Sequence, residues 1–243
     1  MTILKANNPL LAIQCLKIGF ELLTKTELRQ YILIPVLINI VLYVLGFGWC
    51  YLYLSELIEQ FIPDWLNWLR WILWPIFFVS FVMLMFFTFT LLANLLASPF
   101  YGKLSEQALS LVSGKPAIVH ELPITKVLLG ELHRLTYLAV RSIPLLIISM
   151  IPGLNVGAPI LWAIFGAWAM AIEYFSYPLE NSGLLFKEQI QQLKTIRWGA
   201  LSLGAMAMFA LSIPILNIFV SSATVIGATV YWHKLNADEQ QAE

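Results

Sequence analysis

Charged side chains are missing altogether from four long stretches of this sequence, residues 30–55, 71–102, 142–172 and 198–233. Over the whole chain they make up 12% of residues, about half the usual share for a soluble domain. A soluble protein of 243 residues has too little interior to hide a chain that is 60% apolar, so an ordinary cytosolic enzyme is excluded. The 14 basic residues balance the 14 acidic ones, which removes the electrostatic basis for nucleic-acid binding. Cysteine is scarce too. Cys15 and Cys50 stand alone in apolar surroundings, without a C-x-x-C pair, so a disulfide scaffold is excluded and both read as packing groups. No small-residue cleavage site follows a short apolar core near the start, so no signal peptide is expected.

Catalytic and cofactor motifs are also lacking. Gly102-Lys103 and Gly114-Lys115 have no glycine at the start of a phosphate loop and no Ser/Thr after the lysine, so the chain has no ATPase of its own. His120, His133 and His233 lack metal-ligand spacing, and no metal or cofactor is expected. No G-x-S-x-G occurs, and no acid, His or Lys falls within a predicted membrane core as an intramembrane hydrolase would need. The sequence does not read as an enzyme.

What the chain does have is lipid-compatible length, with a mean hydropathy of +0.80. Residues 30–55 and 71–97 read as two spanning helices, since about 20 apolar residues cross a bilayer. The apolar spacing of Leu10, Ile13, Leu16 and Phe20, with Gln14, Lys17 and Glu21 between, predicts an amphipathic helix in the interface within residues 1–29. Residues 142–172 and 198–232 differ because Pro and Gly interrupt them. Ile151-Pro152-Gly153-Leu154-Asn155 and Ile213-Pro214-Ile215-Leu216-Asn217 form an I-P-x-L-N repeat at mid-stretch. Each break is read as a hairpin tip, with a kinked spanning helix as the alternative.

Basic residues decide between them. Four full spans would divide the basic residues of the connecting segments ten against four, whereas two hairpins that re-enter one face give thirteen against one. The positive-inside rule prefers the hairpins, with both termini cytoplasmic. The expectation is an all-α integral membrane protein forming a single domain over 1–243. It has two long transmembrane helices, two re-entrant hairpins and an N-terminal interfacial helix. Trp65, Trp68, Trp71 and Trp74 crowd the outer start of the second long helix, where indole rings favour headgroups.

Two places suit an anion. Residues 153–158 form a turn before Pro159, whose position fits the start of a half-helix; Gly153, Leu154 and Asn155 are therefore a candidate site, or simply a capped turn. The second is Thr24-Lys25-Thr26-Glu27-Leu28-Arg29-Gln30, where Arg29 offers a charge and forked donors at a helix start. Thr24-x-x-Glu27 also matches a capping box, and Arg29 also suits a lipid anchor.

Several short segments together resemble a known family. They are Ile62-Pro63-Asp64-Trp65-Leu66, Ala93-Asn94, Ala97-Ser98-Pro99-Phe100, Ile151–Asn155, Tyr177-Pro178 and Phe186-Lys187-Glu188, with the run 198–232. In order and spacing they resemble the bacterial CysZ sulfate transporters. The resemblance implies an oligomeric inner-membrane protein, a dimer or higher, that brings sulfate into the cytoplasm for cysteine synthesis. It also implies an anion motif, Gly-(Leu/Ile)-Arg-Arg, at the start of the first long helix. Leu28 and Arg29 match it, Gln30 stands at the second arginine, and Glu27 replaces the glycine. Sulfate and the lipid bilayer are thus the expected partners, and Leu28, Arg29 and Gln30 the expected sulfate site. A non-transporting membrane scaffold or partner-binding protein is the alternative.

Overall fold

The computed structural model describes residues 7–61, 67–120 and 122–240, and among these there is helix and turn but no strand. Lys5, Trp65 and the motif at 62–66 lie outside the described residues, as do the side chains of Cys50 and Asn217. Among the described residues eight α-helices follow in order: α1 Pro9–Leu22, α2 Thr26–Phe61, α3 Asn67–Ser113, α4 Ile124–Met150, α5 Ala158–Asn181, α6 Phe186–Thr195, α7 Arg197–Leu211 and α8 Pro214–Gln240. A short 3-10 turn, Leu154–Gly157, joins α4 to α5. The chain divides into two compact units, one of residues 1–31 with 101–243, the other of residues 32–100.

The smaller unit consists of the apolar lengths of α2 and α3. These helices run past the charge-free stretches at both ends, to 36 and 47 residues, or about 54 and 70 Å at the α-helical rise. Ring contacts pair them in antiparallel fashion, Phe47 with Phe81 at 6.0 Å and Tyr51 with Trp74 at 5.8 Å. Much of their remaining apolar surface is bare, including Leu37, Leu45, Trp49, Trp71 and Met83. Water would oppose so large an exposed apolar surface, whereas hydrocarbon would not.

The larger unit is a bundle with α5 near its middle. Close approach of helices here depends on missing side chains. A Cβ on Gly204 of α7 would collide with the Ala167 carbonyl and the Ala171 amide of α5. Gly19 of α1 and Gly227 of α8 face each other across a second such contact. Small residues let backbones approach and gain dispersion contacts without long side chains between them. Ala12, Cys15, Leu16 and Gly19 are the buried stripe of α1, while Leu10 and Ile13 point outward. The expected spacing thus locates the helix, but small residues, not the larger apolar ones, make much of its packing face. Cys15 is wholly buried, and that burial lifts its thiol to about 11, as an inert packing group requires.

Both interrupted stretches fold back on themselves. The α4–α5 break closes at Gly153, whose φ of +89° lies where a side chain would be strained. Pro159 follows in the first turn of α5, where its missing N–H costs nothing. The second break is shorter: α7 ends at Leu211, and Pro214 opens α8. Gly199 near the start of α7 lies against the Tyr231 ring of α8, so the two helices pack antiparallel rather than forming one kinked rod. The repeat is therefore only partly structural. Its first copy, with Asn155, makes the tip, whereas Asn217 of the second already lies inside α8.

The two hairpins point the same way. Gly166 and Met208 meet near the tips, while Trp232 donates to the Ser182 hydroxyl at 3.0 Å near the bases. Around the tips the surface is apolar and open, with Met150 83% and Val156 80% exposed. Toward the bases, 171–179 and 220–231 are almost wholly buried around Phe175 and Tyr231, whose rings meet edge-on at 5.6 Å. Residues Leu154–Asn181 make the one helical segment among those described that is long and apolar enough to cross a membrane.

Candidate functional site

The first turn of α2 holds the residues singled out for an anion. It follows α1 after a tight turn in which Leu23, Thr24 and Lys25 donate backbone N–H groups to the carbonyls of Gly19, Glu21 and Leu22. Since Gly19 is pressed against α8, this turn fixes where α2 starts. Leu28 is wholly buried, its amide bonded to the Lys25 carbonyl at 3.1 Å, while Glu27, Arg29 and Gln30 are exposed. Leu28 is thus an anchor, and the polar residues on either side of it face outward. The Thr24 hydroxyl donates to the Glu21 carbonyl at 2.7 Å, so it finishes α1 rather than capping α2. Among the described residues, the ion pairs are Lys17–Glu21, Arg134–Glu131 and Arg134–Glu173, leaving Arg29 uncommitted to any carboxylate.

Gly153, Leu154 and Asn155 lie at the tip of the first hairpin. The Asn155 amide N–H donates to the Ile151 carbonyl at 3.1 Å and closes the turn, and all three residues are exposed. The turn is thus closed by its backbone. Among the described residues no hydrogen bond or ion pair connects this tip to Arg29, so the two candidates are separate places.

A third polar centre was hidden from sequence reasoning. Arg134 of α4 pairs with Glu131 one turn earlier and with Glu173 of α5 at 3.0 Å, and the Tyr177 hydroxyl donates to Glu173 at 3.2 Å. Glu131, Arg134 and Glu180 line a small cavity of about 10 Å³, room for about one water. Burial is the largest influence on Glu131 and raises its pKa, with Arg134 opposing and Glu173 adding to the rise. The signal was available in the folding-back itself: Arg134 stands 19 residues before Gly153, and Glu173 19 after Leu154. Pairing about the tip brings them level. Arg134 is already paired with a carboxylate on each helix, so the chemistry of the cluster is that of a clamp between α4 and α5.

A neutral hydroxyl seam completes the polar interior. Ser105 and Thr229 share a buried hydrogen bond of 2.9 Å, and Tyr174 and Ser221 one of 3.2 Å. Asn7 caps α7 from a distance, its side-chain oxygen accepting from the Trp198 and Gly199 amides at 2.7 and 3.2 Å. No local sequence motif marks that cap, because its partners are 191 residues apart.

Comparison with known proteins gives these features a context. The family described as "Sulfate transporter CysZ/Etoposide-induced protein 2.4" matches residues 15–221. A protein of Pseudomonas paraeruginosa named Sulfate transporter CysZ is 36% identical over 223 residues, covering 88% of this chain and 91% of its own. One of the same name from Pseudomonas fluorescens strain Pf-5 is 41% identical over 232 residues, with 90% and 92% covered. Another, from Salmonella typhimurium, is 35% identical over 225 residues, with 88% of each covered. The family match runs from within α1 to within α8 and takes in both hairpin tips, and the chain belongs to the family of sulfate transporter CysZ and etoposide-induced protein 2.4.

Proposed function

We propose that this chain takes up sulfate across the bacterial inner membrane for assimilation into cysteine, as a pore or secondary transporter rather than an enzyme. The observation that carries the reading is identity of 35–41% with sulfate transporters along nearly the whole chain. In this reading 1–243 is one membrane domain. Residues 30–55 and 71–97 span the bilayer, and 142–172 and 198–232 enter it partway. The exposed apolar surface of α2 and α3 and of the hairpin tips supports this arrangement, since hydrocarbon removes its cost. The outward Leu10 and Ile13 of α1 suit an interfacial position. Both termini are cytoplasmic, and the protein works as a homo-oligomer of two or more copies.

Sulfate is received at the start of α2. Leu28 fixes the turn, Arg29 supplies charge and forked donors, and Gln30 adds a neutral donor. Gly153, Leu154 and Asn155 form a second contact within the membrane path. Arg29 has no competing carboxylate partner among the described residues, which supports its availability to an anion. Liposomes containing only the purified protein should accumulate radiolabelled sulfate faster than empty liposomes. Equal rates, with the protein inserted and folded, would leave a scaffold role in place of transport.

A further inference from the structure

A groove of about 570 Å³ runs between α4 and α6, apart from each of the sites above. Its walls come from one face of each helix. His133, Tyr137, Val140 and Arg141 recur at helical spacing along α4, and Lys187, Ile190, Gln191 and Lys194 along α6. The Tyr137 and Phe186 rings meet edge-on at 5.6 Å and join the two walls. Three cationic side chains, Arg141, Lys187 and Lys194, thus line the groove together with His133, and no acidic one does.

The carboxylates nearest in sequence are engaged elsewhere. Glu131 and Glu173 hold Arg134, and Glu188 accepts the Leu185 amide at 2.8 Å at the start of its own helix. Arg141, by contrast, lies 3.6 Å from the centre of the Tyr137 ring, a cation–π contact that orients the guanidinium. Arg141, Lys187 and Lys194 take part in no ion pair among the described residues. The floor is different in character. Val140 is more than half exposed, and Ile190, which also lines the groove, is buried in the core.

That combination selects the ligand. Bare sulfate would gain from the cations but nothing from an apolar floor, while an apolar peptide would leave the cations unmatched. A phosphate joined to an acyl chain satisfies both, and basic pockets at a membrane surface are suited to such headgroups. We propose that the α4–α6 groove binds an anionic phospholipid, its phosphate held by Arg141, Lys187 and Lys194 and its acyl chain laid on Val140, Phe186 and Ile190. The site goes beyond sulfate transport and needs no sulfate to form.

The test is calorimetric titration of the full-length protein in neutral detergent with short-chain phosphatidylglycerol, phosphatidylcholine, inorganic phosphate and sulfate. Phosphatidylglycerol should bind, and phosphatidylcholine and phosphate should bind far more weakly. The Lys187→Gln/Lys194→Gln protein should lose roughly thirtyfold in phosphatidylglycerol affinity, given about 1 kcal/mol for each basic residue near an anionic surface. Its sulfate affinity should be unchanged. Lys187→Arg/Lys194→Arg should retain the lipid, which separates lost charge from lost fold. Equal affinity for the two lipids, phosphate binding as tightly as phosphatidylglycerol, or full lipid affinity in the Gln protein would each overturn the proposal. So would weakened sulfate binding with lipid binding intact, which would make the groove a sulfate vestibule.

Discussion

At the scale of single residues, Arg29 and Arg134 show how burial separates two chemically identical groups. Arg134 is mostly buried and held between two carboxylates, so its charge is already matched. Arg29 is exposed and free of such partners among the described residues. Arg29→Ala should therefore weaken sulfate binding by about 1–3 kcal/mol, the range for a charge-assisted hydrogen bond. Arg29→Lys should restore only part, because an ammonium keeps the charge but loses the planar fork. Calorimetry on both purified proteins measures this, and unchanged affinity in Arg29→Ala would move the sulfate site elsewhere. Sequence made Arg29 legible because its signal is local, an arginine at a helix start. The Arg134 cluster was not legible in the same way, since Glu173 reaches it only after the chain reverses at Gly153.

At the scale of elements, the boundaries written by proline and glycine were the readable ones. Pro152-Gly153 and Pro214 mark both reversals, and charge-free length marked α2 and α3 though not how far they extend. Packing partners were less readable, because Gly19, Gly204 and Gly227 look like helix weaknesses in a sequence and act as contacts in the fold. The first tip allows a clean comparison of two glycines four residues apart. Gly153 has φ +89° and ψ −43°, whereas Gly157 has φ −83° and ψ −13°. Neither would place a new Cβ near another atom. Any difference between their alanine variants therefore comes from backbone strain alone. Gly153→Ala should lose about 1–3 kcal/mol of stability, the usual cost of a disfavoured backbone conformation. Gly157→Ala should be neutral or slightly stabilising, since it lowers the entropy of the unfolded chain. Thermal unfolding in detergent reads the difference, and equal melting temperatures would refute the strained tip.

At the scale of the whole molecule, what matters is which ends share a side of the membrane. Within the larger unit the hairpin bases gather Asn7, Trp198, Ser182 and Trp232, while the tips carry the open apolar surface. Basic residues are concentrated in the segments outside the apolar stretches, and thirteen of the fourteen fall on one side if both hairpins re-enter. An anionic cytoplasmic leaflet and the membrane potential both favour that side for positive charge. Single cysteines at 115, 187 and 240, introduced into a protein without Cys15 and Cys50, should resist a membrane-impermeant maleimide added to intact cells. A cysteine at 59 should react, because it lies past the first span. The position that discriminates is 187, which follows the first hairpin. If residues 142–172 crossed completely, 187 would face outward and label while 115 stayed protected. Protection at 187 together with labelling at 59 therefore identifies a stretch that enters the bilayer and returns, and labelling at 187 would replace the hairpin with a full span.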